Sequence, residues 1–213
     1  METRKQEIKS KNNGKIKIGI IPGHFATNHS HVNYYIDMTK IKTHHMVAKE
    51  TARELSKAYI SNTSIDTIIC LEGTEIIGAF LARELAKEGH TSINSGKDIC
   101  VITPETNANN QMIFRDNIQK HIFGKQILLL ISSASTGKTI IRTVDCLQYY
   151  NGQLAGISSI FSAINEYNGL PVNSIFKSDD LPNYKTMGSH SCELCQNGQK
   201  VDAIVNSYGY SKI

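Results

Sequence analysis

The sequence lacks any apolar run close to the ~20 residues that a helix needs to cross a bilayer. Its lysine-rich start is not followed by the hydrophobic stretch and small-residue cleavage site of a secretory signal peptide. We therefore expect a cytoplasmic protein without a membrane partner. No internal repeat is visible along the 213 residues, and a chain of this length fits one main hydrophobic core.

Cysteine and proline are both scarce, with five and four residues respectively. An odd number of cysteines does not suggest a disulfide framework, and Cys70, Cys100 and Cys146 stand in apolar segments, where a thiol behaves as a small hydrophobe. A reducing cytoplasm fits this usage. Hydrophobic residues still make up 40% of the chain and charged residues 20%, a mixture that can bury enough apolar surface to fold.

Positive charge is concentrated at the amino-terminal end. The net charge is +4, and part of this excess comes from a cluster of basic side chains: Arg4, Lys5, Lys9, Lys11, Lys15 and Lys17. We predict a basic flexible terminus over residues 1–15, since a solvated end is commoner than a nucleic-acid site. The folded domain should cover residues 16–213. No nucleic-acid partner is expected, whereas a mildly basic domain suits an anionic, phosphorylated ligand.

Short apolar runs alternate with segments of helical periodicity. Strands are predicted at 16–21, 66–71, 98–103, 126–131 and 153–161, and helices at 42–59, 76–88 (ended by Gly89) and 140–151. Pro22-Gly23 should end the first strand, His24 to His31 should be a loop, and residues 104–125 a long flexible loop or hairpin. The alternation predicts an α/β fold with a central, mainly parallel sheet flanked by helices, which binds ligands at the carboxyl ends of its strands.

The clearest chemical signal is the loop that follows the strand at 126–131. The run Ser132-Ser133-Ala134-Ser135-Thr136-Gly137-Lys138-Thr139, called here the Ser132–Thr139 loop, leads into a helix. Backbone N–H groups and the positive end of a helix dipole meet at such a point, which therefore binds phosphate. The hydroxyls of Thr136, Thr139 and Ser135 would add hydrogen-bond donors, and Gly137 would let the backbone approach the ligand closely.

Two other interpretations of this loop stay open. Ser135 or Thr136 could simply cap the helix. In a P-loop-like nucleotide hydrolase, Gly137-Lys138-Thr139 would end the Walker loop, but Ser132 stands where that motif needs its first glycine. The next strand also ends without the aspartate that would hold magnesium in such an enzyme.

The segment from Ile127 to Thr139 resembles the signature of the type I phosphoribosyltransferases, and among them the orotate phosphoribosyltransferases. That signature is an apolar strand, two acidic residues, a short spacer and Thr-Gly-x-Thr/Ser. Further similarities follow in the family's order: Gly23-His24-Phe25 and Tyr34 to Asp37 in the base-side hood, Leu71 to Glu75 in the pyrophosphate loop, Phe114-Arg115 in the flexible loop, and a tail from Tyr184 through Cys192-Glu193-Leu194-Cys195 to Gly198.

The resemblance implies the fold of that family, with a small hood built from about 16–40 and 180–213, and a homodimer. It implies binding of phosphoribosyl pyrophosphate (PRPP) or a nucleoside 5′-monophosphate. With Mg²⁺ as cofactor, phosphoribosyl would be transferred to a nitrogenous base, for which orotate is the first choice. The implied site consists of Ser132 to Thr139 with Gly73 and Thr74 for the phosphates, Arg115 in the flexible loop, and His24, Phe25 and Tyr34 on the base side.

The chain departs from the family where catalysis takes place. Ser132 and Ser133 replace two acids that hold the ribose hydroxyls, and serine supplies no charge to a cationic, oxocarbenium-like transition state. Glu75 replaces a usual glycine of the pyrophosphate loop, and the flexible loop has Arg115 without the family's lysine. Glu72 or Glu75 could replace the lost catalytic charge. The alternative is a non-catalytic nucleotide-binding or regulatory protein.

The tail motif His190-x-Cys192-x2-Cys195 contains three residues of the types that bind zinc. Zinc needs four ligands, and no second pair is evident in the sequence. We therefore expect the two cysteines to be structural, without a disulfide or an essential metal. His44-His45, beside a helix start, is expected to be a solvated face.

Overall fold

The computed structural model describes residues 1–88, 92–107 and 111–213, so the helix end predicted at Gly89 lies outside the described residues. The strands are β1 (Gln6–Lys9), β2 (Lys17–Ala26), β3 (His31–Asp37), β4 (Thr67–Cys70), β5 (Cys100–Ile102), β6 (Glu105–Thr106), β7 (Met112–Ile113), β8 (Gln126–Ala134), β9 (Gln153–Ser162), β10 (Glu166–Tyr167), β11 (Leu170–Lys177), β12 (Thr186–Met187), β13 (Ala203–Asn206) and β14 (Gly209–Lys212). The helices are α1 (Thr39–Thr43), α2 (His45–Ser56), α3 (Glu75–Leu85), α4 (Asp116–Gln119), α5 (Lys138–Tyr149) and α6 (Glu193–Gln196). Within the described ranges, none of the helices combines the length and apolarity needed to span a bilayer.

The central sheet has the strand order β10-β11-β9-β8-β4-β5 and is parallel except for its edge strand β10. Its inner strands are mainly apolar, with serines in β9 and β11, because helices cover both faces. On one face, Ile68 and Leu130 share a buried cluster with residues of α2 and α3; on the other, Ile69 and Ile131 share one with residues of α5. The predicted α/β architecture with a mainly parallel sheet is confirmed.

A second sheet, called here the hood sheet, has the order β12-β3-β2-β13-β14, with β1 also paired to β2. Both ends of the described chain build it. Residues 1–15, expected to form a flexible terminus, contribute β1 to this sheet. Ion pairs accompany that strand: for example, Lys5 Nζ lies 2.6 Å from Asp37 Oδ2, and Arg4 Nη2 lies 2.8 Å from Asp202 Oδ1. Some of the basic side chains near this end therefore form ion pairs with acidic residues of the hood.

β2 runs through Pro22 and Gly23, where the sequence predicts its end. Proline is tolerated because β1 pairs with β2 only as far as Ile20 and β13 only from Phe25, so no strand pairs beside Pro22 on that edge. A register shift between Pro22 and Phe25 marks a bulge. The segment predicted as one long loop is thus partly strand, with its first and last histidines, His24 and His31, in β2 and β3.

The remaining differences from the predicted elements are local. His44 has extended dihedral angles, with φ −98° and ψ 108°, so the helix predicted at 42–59 is divided into α1 and α2. α3 ends at Leu85, before the predicted end. Residues 104–107 and 111–125 contain the β6–β7 hairpin and α4, and the polar tail contains β12, α6, β13 and β14.

Candidate ligand-binding site

A cleft lies between the carboxyl edge of the central sheet and the hood sheet. One wall consists of the end of β8, the Ser132–Thr139 loop from Ser133 onward and the first turn of α5, whereas Ser132 is fully buried and lies outside the described lining. The opposite wall comes from the turn at residues 27–30, from Tyr34 and Tyr35 on β3, and from Tyr184 and Asn206 in the tail. The cleft therefore opens where a parallel α/β sheet is expected to bind its ligand.

The Ser132–Thr139 loop ends in a left-handed glycine. Gly137 has φ 75° and is the N-cap residue of α5, and among the described residues no side chain caps this helix. The interpretation in which Ser135 or Thr136 serves only as a cap is therefore wrong. The first N–H groups of a helix have no partner within the helix, so those of α5 are available to an anion in the cleft.

The charges that line the cleft also favour an anion. Lys138 and Arg142 on α5 and His29 in the hood turn lie along it, and Glu72 is the one carboxylate among the described lining residues. Two permanent cations beside a helix N-terminus suit the negative charge of a phosphate group. Tyr35 stays protonated across the physiological range, since burial, helped by nearby Asp37, raises the pKa of its phenol to about 12.

Glu72 extends from the loop after β4 to the end of β8. Its Oε2 accepts a hydrogen bond from Ser132 Oγ at 2.5 Å and one from the Ser133 N–H at 3.3 Å. Its backbone has φ 62°, in the left-handed region that a residue with a Cβ rarely occupies. Such strained residues cluster at functional sites. The Glu72 carboxylate thus lies against Ser132 and Ser133, where the resemblance leads us to expect acids, although Glu72 stands in the loop after a different strand.

Lys42, which sequence reasoning missed, contacts the backbone of the loop that contains Glu72. It is buried, and its Nζ donates hydrogen bonds to the carbonyl oxygens of Glu72, at 3.2 Å, and of Ser207. The Tyr208 ring lies 5.6 Å from the same Nζ. Burial lowers the pKa of Lys42, against the opposing effect of Glu72 and other nearby acids. No sequence signal distinguishes Lys42 from the chain's other lysines, because its role depends on contacts distant in sequence.

Several residues expected in the site lie outside the described lining of the cleft. Glu75 is exposed and accepts a hydrogen bond from Thr103 Oγ1 at 3.1 Å. Thr74 is buried and donates to the carbonyl oxygens after β4 and in β8, so it holds the loop in place and Gly73 with it. Arg115 is exposed and forms an ion pair with Glu105. Of the two candidate carboxylates, only Glu72 therefore faces the cleft.

The base-side residues divide in a similar way. Tyr34 lines the cleft, whereas His24 and Phe25 are fully buried within the hood. Phe25 packs against Tyr35, with ring centroids 6.2 Å apart. Tyr184 lines the cleft as well, and its hydroxyl lies 3.4 Å from Ser135 Oγ. The expectation that His24 and Phe25 face a base is wrong, because both side chains point into the interior of the hood.

His24 instead belongs to a cluster of potential metal ligands. Ligand atoms of His24, His31, Cys192 and Cys195 all lie within 4.8 Å of one another. His190, the histidine that the tail motif suggested, is exposed and is not part of the cluster. Sequence reasoning missed His24 and His31 as members of this cluster, because both lie in the β2–β3 hairpin, far in sequence from the cysteines of the tail. The pairing of β12 with β3 and of β13 with β2 brings the tail to them.

Comparison with solved structures finds phosphoribosyltransferases. An orotate phosphoribosyltransferase from Mycobacterium tuberculosis, in complex with PRPP, aligns over 70% of this chain and 83% of its own, with a TM-score of 0.51 and 15% identity. An adenine phosphoribosyltransferase from Thermoanaerobacter pseudethanolicus aligns over 83% of this chain and 96% of its own, also with a TM-score of 0.51 and 15% identity. UMP synthase from Leishmania donovani aligns over 69% of this chain, with a TM-score of 0.51 and 15% identity, but over only 30% of its own length.

No family model matches the chain. The structural similarity is nevertheless consistent across these enzymes, and together with the central sheet it shows that the chain has the type I phosphoribosyltransferase fold. At 15% identity the similarity concerns the fold alone.

Proposed function

We propose that this chain is a phosphoribosyltransferase in which the carboxylate that contacts the ribose comes from Glu72 rather than from the end of β8. The observation that carries this proposal is the contact of Glu72 Oε2 with Ser132 Oγ, at 2.5 Å. This contact puts a negative charge beside the phosphate-binding loop, next to Ser132 and Ser133, which stand where the family signature has two acidic residues.

The donor substrate would be PRPP, held by its 5′-phosphate. Backbone N–H groups at the start of α5 and the hydroxyls of Thr136 and Thr139 would donate hydrogen bonds to that phosphate, and Lys138 would supply positive charge. Gly137 permits the close approach because glycine has no Cβ. Its left-handed backbone, with φ 75°, is also one that glycine adopts without strain. The ribose would then extend from the loop toward Glu72.

In the transfer reaction, a nitrogen of the acceptor base forms a bond to C1′ of the ribose while the bond from C1′ to the pyrophosphate oxygen breaks. Pyrophosphate leaves with the bonding electrons, and the base nitrogen loses its proton. Positive charge builds up on the ribose meanwhile, and a fixed carboxylate such as Glu72 stabilises it. Tyr34 and Tyr184, on the hood side of the cleft, are placed to flank the base. Orotate is the first base to test.

Mg²⁺ fits this arrangement if it binds together with PRPP. The ion prefers oxygen ligands and is commonly held by one or two carboxylates together with substrate phosphates. Glu72 is the carboxylate that the described part of the cleft offers, so most ligands would come from PRPP itself. Bound there, Mg²⁺ would neutralise charge on the departing pyrophosphate.

A non-catalytic role is the second candidate, and a specific observation favours it. The described lining contains one carboxylate, whereas the family signature has an adjacent pair of acids. A protein with this cleft could bind a nucleoside 5′-monophosphate through the Ser132–Thr139 loop without turning PRPP over.

Pyrophosphate release distinguishes the two candidates. The natural chain is incubated with PRPP, Mg²⁺ and a panel of bases that includes orotate and adenine. We expect release with one of them, and a fall of about 10²–10³-fold in kcat for Glu72→Gln, the loss typical of one electrostatic contact in a transition state. Glu75→Gln is the matched control and should retain activity, since Glu75 faces solvent. Two results together would instead establish the non-catalytic role. The natural chain would bind a nucleoside 5′-monophosphate without releasing pyrophosphate, and the double substitution Ser132→Glu/Ser133→Asp would give it activity.

A further inference from the structure

The hood holds four side chains of the kinds that bind zinc, none of which belongs to the described lining of the cleft. His24 stands near the end of β2 and His31 at the start of β3, seven residues apart in sequence. Cys192 and Cys195 flank the start of α6, and Cys192 is 168 residues from His24. Two histidines and two cysteines form one of the common ligand sets of structural zinc sites.

The distances between these atoms match a tetrahedral site. With Zn–S near 2.3 Å and Zn–N near 2.0–2.1 Å, a tetrahedron places sulfur and nitrogen about 3.5 Å apart. Cys192 Sγ lies 3.5 Å from His24 Nε2, and Cys195 Sγ lies 3.6 Å from His24 Nε2 and 3.3 Å from His31 Nδ1. The two nitrogens are 2.8 Å apart, so the histidines need to separate by only about 0.5 Å to accept the ion.

His24 is oriented as a ligand from its other side. Its Nδ1 lies 2.8 Å from the carbonyl oxygen of Gln199, which can only accept a hydrogen bond. The proton of the neutral ring is therefore on Nδ1, and the lone pair of Nε2 points at His31 and the two thiols. Metal-binding histidines in proteins are held in this way by a backbone carbonyl or a carboxylate. The ring is also fully buried, which fixes its position.

The tail around α6 has little else to hold it. From residue 188 to 200 the only buried residue is Cys192, and α6 itself contributes none. A segment without an apolar core is held by few contacts, and small protein elements of this kind commonly depend on a metal or a disulfide. The five cysteines are all free thiols in the structure. The ligand cluster thus supplies the buried contact between this segment and the β2–β3 hairpin, between the strands β12 and β13 that pair with the hairpin on either side of it.

We propose that His24 Nε2, His31 Nδ1, Cys192 Sγ and Cys195 Sγ bind a structural Zn²⁺ ion that fastens the carboxyl-terminal tail to the amino-terminal hairpin. Four protein ligands close the coordination sphere, which leaves no position for a substrate. The turn at residues 27–30 lies between the two histidines and lines the cleft. The metal therefore also fixes the shape of one wall of the cleft, without taking part in the reaction there.

Metal analysis of the full chain, purified without added zinc, tests this site directly. We expect about one equivalent of zinc per chain. Removing it with a chelator and adding Co²⁺ should give the intense visible absorption of tetrahedral cobalt with thiolate ligands. Cys192→Ser and Cys195→Ser should both lose the metal. Cys146→Ser and His190→Ala are the matched controls and should keep it, since both residues lie outside the cluster.

Other outcomes would overturn the proposal. A chain that contains no zinc and does not bind added Zn²⁺ or Co²⁺ has only a hydrogen-bonded cluster. A mass lower by two hydrogen atoms, with three reactive thiols instead of five, identifies a Cys192–Cys195 disulfide. Cys195 is exposed, so Cys195→Ser should fold even if the buried Cys192→Ser does not, and its metal content then decides. None of these measurements depends on turnover of PRPP.

Discussion

The Ser132–Thr139 loop and the histidine–cysteine cluster are built in opposite ways. The loop is continuous in sequence and presents mainly backbone groups, positioned by one strand and one helix. The cluster is made of side chains alone, brought together from segments 168 residues apart. A site made of backbone groups tolerates substitution, because only proline removes an N–H donor. A site made of side chains loses one ligand atom with each substitution of a ligand residue.

The two regions also differ in what they need from the rest of the fold. The loop requires a buried strand that ends beside a helix N-terminus, and the apolar faces of β8 and α5 provide this arrangement. The cluster requires the hood sheet to be complete, with β13 paired to β2. We therefore expect damage to the loop to affect phosphate binding alone, and damage to the cluster to affect the hood wall of the cleft.

The largest effect should come from the loop. Gly137→Val places a branched side chain at φ 75°, with its Cβ 3.3 Å from Ile164 Cδ1, and blocks close approach of the phosphate. Losing two charge-assisted hydrogen bonds, each worth about 1.5–3 kcal/mol, should weaken nucleoside 5′-monophosphate binding by about 100-fold or more. Calorimetric titration measures the affinity.

Gly124→Val is the control for backbone strain in that experiment. Gly124 has φ 67° and open space around its Cβ position, so the substitution imposes similar strain far from the loop. Equal loss of affinity in the two variants would show that strain, and not contact with the phosphate, is responsible.

The second prediction concerns the hood. If the cluster shapes the turn at residues 27–30, Cys195→Ser should lower the affinity for a nucleoside 5′-monophosphate by about tenfold, or about 1.4 kcal/mol. The affinity for inorganic phosphate should be unchanged, because phosphate contacts only the loop. A parallel titration with the two ligands tests the separation. Equal losses for both would mean that the two regions are coupled through the central sheet.

The sequence predicted the central sheet and the loop better than the hood, for a physical reason. Buried parallel strands are apolar throughout, so runs such as Leu128 to Ile131 are evident from composition alone. A glycine at a strand–helix junction is likewise a local signal. Most hood strands are short, with two residues in β12 and four in each of β1, β13 and β14, and Pro22 within β2 resembles a strand end unless the gap between β1 and β13 is known.

Residues of the site that depend on distant contacts were correspondingly hard to predict. Glu72 was one of two candidate carboxylates, and only the left-handed backbone after β4 directs it to Ser132. Lys42 carries no motif. His24 was expected to face the base because it stands in a segment that resembles the family's hood, but strand pairing turns its ring toward Cys192. For Lys42 and His24, contacts distant in sequence decide the direction of the side chain, whereas for Glu72 the local left-handed backbone does.

The third prediction tests whether both regions depend equally on the central sheet. Asp66 Oδ2 accepts a hydrogen bond from the Gln126 N–H at 3.0 Å, and Oδ1 lies 3.2 Å from Lys97 Nζ, at the edge opposite the cleft. Burial raises the pKa of Asp66, but these hydrogen bonds outweigh it, so the folded pKa is lowered below 3.8. Its stabilisation is therefore complete above pH 3.8 and is lost as the pH falls through the folded value.

Asp66→Asn should accordingly lower the free energy of unfolding by about 1 kcal/mol at pH 7, a value that allows for solvent screening of a partly exposed pair. The difference should shrink as the pH falls below 3.8. Urea unfolding over a series of acid pH values measures it. Zinc content and ligand affinity should remain those of the natural chain, and a change in either would show that the scaffold does not isolate the two regions.

The smallest effect is expected inside the sheet itself. The Ser159 hydroxyl on β9 and the Ser174 hydroxyl on β11 are buried, lie at paired positions of neighbouring strands, and have no hydrogen-bond partner among the described residues. Ser159→Ala removes a desolvated hydroxyl and should raise the unfolding free energy by about 0.5 kcal/mol. Thermal unfolding detects the shift. A loss of stability instead would indicate a buried water that bridges the two serines.

The pairing of β2 with strands that lie far apart in sequence has a consequence for folding. All strands of the central sheet lie within residues 67–177, so this sheet can form without the tail. The β2–β3 hairpin precedes that sheet in sequence, but its own sheet is complete only when β13 pairs with β2. Until then its inner face, with Phe25 and Val32, is without its cover from the tail. A chain truncated before residue 203 would therefore have an assembled phosphate loop and an open, aggregation-prone hood.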